Sequence, residues 1–221
     1  MRSGTTRPLL GWLCLLSLSA ARAHAQAPAP IDAGNAAAGA ADSVVYDLEP
    51  GSRLQVKTGK AGVFGFAGHN HLIESTAVHG VVVYYPGAPE RSHLEITVDA
   101  DSLQVLTPND TAEIRKVGET MRTEVLRTAD YPVIRLVSRE VQPKGDGFHV
   151  LGAMTLAGQT RSMPLDVTTR IGSDTLKAES TFSIKQSDFG IRPFRGGPGG
   201  TVKVADRVAI QIRAVALRRV R

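Results

Sequence analysis

The residues best suited to chemistry in this chain are two histidines in Gly68-His69-Asn70-His71. Two residues apart on a strand, His69 and His71 would project from one face. Such a pair can begin a zinc or other transition-metal site, but a complete site takes three or four ligands. His79, His93 and His149 are the available thirds, and nothing in their spacing brings any of them close. The other use of the pair is at the polar end of a cavity, where an imidazole hydrogen-bonds a head group such as a quinone carbonyl or a pyrophosphate. A second constellation is Ser187-Asp188-Phe189-Gly190. There the Asp188 carboxylate is expected to satisfy backbone donors of a turn, with Phe189 as a core plug. In its functional version, Asp188 and Arg161 or Arg192 fix a polar head at a pocket mouth.

Machinery for catalysis is sparse. No Gly-x-Ser-x-Gly turn occurs, and the one cysteine, Cys14, falls in a segment expected to be removed. Asp99 and Asp101 share a strand face, where paired carboxylates are ordinarily solvated. The stretch Arg192-Pro193-Phe194-Arg195-Gly196-Gly197-Pro198-Gly199-Gly200 lacks the Gly-Lys-Ser/Thr ending of a phosphate-cradling loop. It reads as a hairpin loop, or as a mobile lip over a ligand. The expectation is a binding protein and no enzyme.

The elements that must position these residues begin after an export signal. Residues 1–25 carry basic Arg2 and Arg7, an apolar run from Leu9 to Ala21, and Ala23 and Ala25 flanking His24, the pattern of a secretory signal peptide cleaved after Ala25. The apolar core is too short for a membrane anchor. The protein is therefore expected in the periplasm or secreted. Its removal takes the formal charge from +5 to about +2 and leaves no cysteine for a disulfide. A balance so near neutral disfavours nucleic acid as a partner. Residues 26–42, rich in Ala, Pro and Gly, read as a disordered linker.

From residue 43 to 221 the pattern is period-two alternation, as in Leu94, Ile96, Val98 and in Leu165, Val167, Thr169, Ile171. Further strands are expected at 54–57, 78–85, 133–141, 148–156, 176–184 and 202–217, separated by turns such as Gly145-Asp146-Gly147 and Gly158-Gln159. Many strands at hairpin spacing make an all-β antiparallel sandwich or barrel. One stretch departs from this. Asp110 and Glu113 resemble a capping box, and Ile114, Val117, Met121 and Val125 recur at helical spacing. This inserted amphipathic helix either covers an open barrel end or lines a cavity, which would bring Met121 to a ligand. Few aromatics, and small residues at Gly152, Ala153, Ala157, Ala178, Ala209 and Ala214, suggest an incompletely filled interior.

Three segments together resemble the YceI-like family. They are Tyr131-Pro132-Val133-Ile134-Arg135-Leu136-Val137-Ser138, the run from Gly152 to Val167 with Thr155-Leu156-Ala157-Gly158-Gln159-Thr160-Arg161 at its turn, and Phe182-Ser183-Ile184-Lys185-Gln186-Ser187-Asp188-Phe189-Gly190-Ile191. Gly68-His69-Asn70-His71 looks like a branch of that family with a Gly-His-x-His strand. The resemblance spans about 44–217 and implies an eight-stranded lipocalin-like barrel that binds a polyisoprenoid, such as a quinone or polyprenyl lipid. It also implies a homodimer. The ligand-contacting residues expected are His69, His71, Met121, Arg161, Asp188 and Phe189. A metal- or haem-handling protein using His69 and His71, and a ligand-free structural or stress-response domain, are the alternatives.

Overall fold

The computed structural model describes residues 43–59, 61, 70–107, 110–196 and 201–220. The signal, the linker and His69 lie outside these described residues. Thirteen strands are seen among them: β1 Val44–Leu48, β2 Arg53–Lys57, β3 Leu72–Ser75, β4 Val78–Tyr84, β5 His93–Asp99, β6 Gln104–Val105, β7 Val133–Lys144, β8 Gly147–Leu156, β9 Gln159–Ile171, β10 Thr175–Lys185, β11 Arg195–Gly196, β12 Val202–Lys203 and β13 Arg207–Arg218. Every pairing is antiparallel, and β13 pairs with both β10 and β1, so the sheet closes on itself. Because β1–β2, β3–β4 and β5–β6 each continue one strand across a break, the closed barrel has eight strands.

The three breaks lie side by side in neighbouring strands, and a serine patches each. Pro50 and Gly51 (φ +124°) cannot hold the ladder between β1 and β2. There the Ser52 hydroxyl donates to the Val215 carbonyl at 3.0 Å and accepts from the Val215 N–H at 3.0 Å. Between β3 and β4, Ser75 Oγ accepts from the Ala77 N–H at 3.1 Å and meets Ser102 Oγ at 2.6 Å, beside the break between β5 and β6. Ser52 and Ser75 are fully buried, yet no described side-chain polar atom is left buried and unpaired. The backbone groups freed at the bends are thus satisfied inside the wall.

The helix α1, Thr111–Thr120, continues as one wider π-type turn, Met121–Leu126. Asp110 caps it as its type predicts, Oδ1 accepting from the Ala112 and Glu113 N–H groups at 2.8 and 3.1 Å. It ends where Arg127 turns left-handed (φ 53°). Asp101, in the short turn that follows β5, then holds the segment: Arg122 Nε lies 3.7 Å away and Thr128 Oγ1 donates to it at 3.2 Å. Ile114, Val117 and Val125 pack against the core and Met121 is buried in it, so α1 covers one end of the barrel.

Along the strands, alternate residues form the core. On β13 Val208, Ile210, Ile212, Ala214 and Ala216 are buried, and on β8 Val150, Met154 and Leu156. At the end away from α1, Tyr46, Leu176 and Ala216 form their own cluster with Val82 and Tyr84 against it. Tyr84 meets Phe148 edge to face at 6.4 Å, and burial raises the Tyr46 phenol above its ordinary pKa of 10.0. Aromatic rings close that end.

Candidate functional site

Beneath α1 the barrel holds a cavity of about 490 Å³. Its walls are apolar side chains from the strands, nearly all branched aliphatics: Leu54 and Val56 of β2, Ile73 of β3, Ile134 of β7, Met154 and Leu156 of β8, Ile184 of β10, and Val208 and Ile210 of β13. The roof is Val117, Thr120, Met121, Val125 and Leu126. Phe194, Val202, Lys203 and Val204, flanking the Gly-rich connection, supply a side wall. β11 and β12 pair there, so Phe194 within this connection and the strand after it border the cavity, while residues 197–200 lie outside the described residues. The π-type turn matters to the roof because it widens the helix where Met121, Val125 and Leu126 face inward, and such turns recur at functional sites.

Polar groups enter the lining from few positions. They are Thr58, His71, Glu113, Lys116, Thr120, Gln186 and Lys203. Gln186 is committed elsewhere, its amide donating to the Ala205 carbonyl at 2.9 Å. His71 is held by its backbone, its N–H donating to Thr58 Oγ1 at 3.1 Å and its carbonyl accepting from the Thr58 N–H at 3.0 Å. Its Nδ1 lies 2.8 Å from the Thr107 carbonyl. A carbonyl only accepts, so Nδ1 carries the proton and the neutral ring has Nε2 left as an acceptor. That atom suits a hydroxyl head, and on protonation it donates to a carbonyl or phosphate oxygen instead. Lys116 is exposed and Lys203 half-buried, and each adds a cation to the lining.

Of the residues expected to contact a ligand, His71 and Met121 reach the cavity. His69 lies outside the described residues. Arg161 is exposed on β9 and donates to the Thr160 carbonyl at 2.8 Å. Asp188 is exposed in a tight turn, Gln186–Phe189, and does not line the cavity. Nor does it satisfy that turn. Asp206 does so, accepting from the Ser187 N–H at 2.8 Å and hydroxyl at 2.6 Å. Those bonds hold the Asp206 carboxyl below its ordinary pKa of 3.8. Phe189 is buried in the main core, outside the lining. β9 pairs with β10 only over Val167–Ile171, and the turn carrying Phe189 packs against the remaining length of β9. Phe189 therefore fills a seam in the wall, where β9 also tolerates Pro164 because no strand needs its missing N–H.

Sequence reasoning did not single out Lys116 or Lys203, and read Glu113 only as part of a capping box. Glu113 and Lys116 belong to the first turns of α1, on or beside the face that carries Val117 and Met121, and helical spacing from those residues was the available signal. Among the described residues no group of three or more His, Cys, Asp or Glu comes together as a metal site. No described helix is long and apolar enough to cross a membrane.

The model of the YceI-like domain matches residues 48–216, from the end of β1 to the end of β13. The chain belongs to the YceI-like family. Solved barrels share the fold at low identity. BcnA of Burkholderia cenocepacia superposes with a TM-score of 0.60 at 18% identity, covering 76% of this chain and 98% of that one. A polyisoprenoid-binding domain from Saccharophagus degradans, implicated in plant cell wall breakdown, gives 0.52 at 14% identity over 79% and 98%. A YceI protein of Campylobacter jejuni gives 0.50 at 16% identity over 65% and 82%. The comparison with curated proteins gave no match. At these identities the YceI-like neighbours speak for the barrel alone, and the ligand must be argued from the cavity.

Proposed function

We propose that this YceI-like barrel is a non-enzymatic carrier of an amphiphile. The tail, an isoprenoid such as that of a quinone or polyprenyl lipid, lies in the barrel, and the head sits near His71. The single observation that carries the reading is a cavity walled almost wholly by aliphatic side chains, with few polar residues: three from α1, and Thr58, His71, Gln186 and Lys203. An aqueous solute would leave such walls without partners, whereas a hydrocarbon gains about 0.8 kcal/mol for each methylene it buries. The size falls within the range of small-molecule pockets, about 300–1,000 Å³. That one neighbour is described as polyisoprenoid-binding agrees with this reading. The sequence pattern of residues 1–25 supports its work in the periplasm or outside the cell.

The test is native mass spectrometry of protein purified from its own envelope, followed by lipid extraction. A stoichiometric amphiphile with a prenyl or comparable apolar tail is expected. Protein that arrives empty and then takes up no prenol in titration would overturn the proposal.

A further inference from the structure

Three strands show the same sequence of inward residues from the α1 end to the aromatic end. On β7, Ile134 lines the large cavity, Leu136 lines nothing, and Val141 lines a second, smaller cavity of about 60 Å³. On β8 the order is Met154, Gly152, Val150, and on β10 it is Ile184, then Phe182 and Ser180, then Ala178. β5 contributes Val98 and Ile96 above Leu94, which lines the small cavity. A buried layer therefore divides the barrel.

Gly152 shows how tight the layer is. A Cβ placed there would meet Leu136 Cδ1 at 3.0 Å and Leu165 Cδ1 at 3.1 Å, so those two leucines close over the glycine. Two hydroxyls belong to the layer and both are engaged by the wall: Ser180 donates to the Asp166 carbonyl at 2.8 Å, and Ser138, the register partner of Gly152, accepts from the Leu94 N–H at 3.0 Å.

From this we infer that the partition of Leu136, Gly152 and Leu165 is a ruler: the barrel takes tails up to a fixed length and stops them, instead of threading a long chain from end to end. This rests on the amphiphile reading above and adds the size class of the ligand. A tail carbon occupies about 25 Å³ at the packing density of a protein interior, so 490 Å³ admits about twenty carbons, roughly four isoprene units. Longer tails leave their excess outside, where it gains nothing from the walls.

The experiment titrates the purified protein with geraniol, farnesol, geranylgeraniol and geranylfarnesol by displacement of a fluorescent alkyl probe, each below its aggregation concentration. At about fourfold per buried methylene, affinity is expected to rise steeply up to geranylgeraniol and then level off. Met154→Trp, which fills space directly above Gly152, is expected to weaken geranylgeraniol about tenfold or more while farnesol stays within about threefold. Leu136→Ala should release the plateau and let geranylfarnesol bind more tightly than geranylgeraniol. If that variant fails to fold, Met154→Trp, which fills space instead of emptying it, still decides the matter. Continued tightening through geranylfarnesol in the unmodified protein overturns the ruler and leaves the amphiphile reading standing, as does a Met154→Trp variant that binds geranylgeraniol undiminished. Failure of every prenol to bind overturns both.

Discussion

Phe189→Ala separates a structural residue from a ligand-contacting one. The phenyl ring is 2% exposed, belongs to the main core and lines no part of the cavity. It sits where β9 has lost its pairing with β10, so no strand backs it up. Truncating a buried Phe costs about 3–5 kcal/mol, a large share of the roughly 5–15 kcal/mol that holds a domain together. With about 2 kcal/mol per molar of urea for a domain of this size, the unfolding midpoint should fall by about 2 M. The thermal midpoint should fall by about 10 °C or somewhat more. The assay is urea titration followed by far-UV circular dichroism, run beside farnesol binding. Phe189→Leu keeps most of the volume and should lose less than about 1.5 kcal/mol, with farnesol affinity close to that of the unmodified protein. Met121→Ala should lose stability as well, because Met121 is buried in the core, but it should also lose ligand. It removes three heavy atoms from the roof of the cavity, worth about 2 kcal/mol or thirtyfold in farnesol affinity. A Phe189→Leu protein that stays fully stable yet loses farnesol would refute the assignment of Phe189 to the wall.

Other expectations follow from the same geometry. Asp110→Ala removes the acceptor of two N–H groups at the start of α1 and should cost about 1 kcal/mol, read as a small drop in thermal midpoint. Asp47, Glu95, Asp166 and Asp206 all have carboxyl pKa values lowered by their hydrogen-bond partners: Arg219, Arg135, His149 with Lys144, and Ser187. A carboxyl whose folded pKa is depressed adds stability above its unfolded value and loses it as pH falls through the folded one. The thermal midpoint should therefore hold steady above about pH 5 and decline below about pH 4, and Asp166→Asn should flatten part of that decline. Lys116→Gln combined with Lys203→Gln should weaken dodecanoate by about threefold to tenfold and leave dodecanol unchanged, measured by probe displacement at low salt.

The barrel was legible because its strands alternate cleanly, and the helix because Ile114, Val117, Met121 and Val125 keep helical spacing within a β-rich chain. The breaks at Ser52, Ser75 and Ser102 were not legible. Serine carries no strand-ending signal of its own, and what these three do depends on backbone groups brought in from strands distant in sequence, such as Val215. The expected strand over 202–217 divides at Val204–Asp206, where the Asp206 side chain turns away to satisfy Ser187. Small residues were the wrong marker for the cavity. On β8 and β13 the alternation turns Ala153 and Ala209 to the opposite face from Met154 and Ile210, and Ala157 occupies a turn at φ 48°. Gly152 lies in the partition, where it permits close packing. The space comes instead from strands that bend away beneath a helix, a tertiary property that residue size alone does not encode.

That space also bears on why a ligand belongs there. By the measure of engineered core voids, about 24 cal/mol for each Å³ left empty, a dry void of 490 Å³ would forfeit on the order of 10 kcal/mol, comparable with the stability of a whole domain. Larger apolar side chains at positions such as Val56, Val117 or Val208 would fill it, so an empty cavity stands at a cost that a better-filled interior would avoid. Water offsets little of that cost, because a water molecule needs two to four polar partners and the deeper walls offer almost none. An apolar tail offsets it directly, and only the folded barrel can hold one. Stripping the protein with organic solvent or hydrophobic resin should therefore lower its thermal midpoint, and adding back farnesol at a hundred times its dissociation constant should restore about 2.7 kcal/mol. A stripped protein as stable as the protein first isolated, and indifferent to farnesol, would mean that the walls collapse inward on their own and that the cavity needs no occupant.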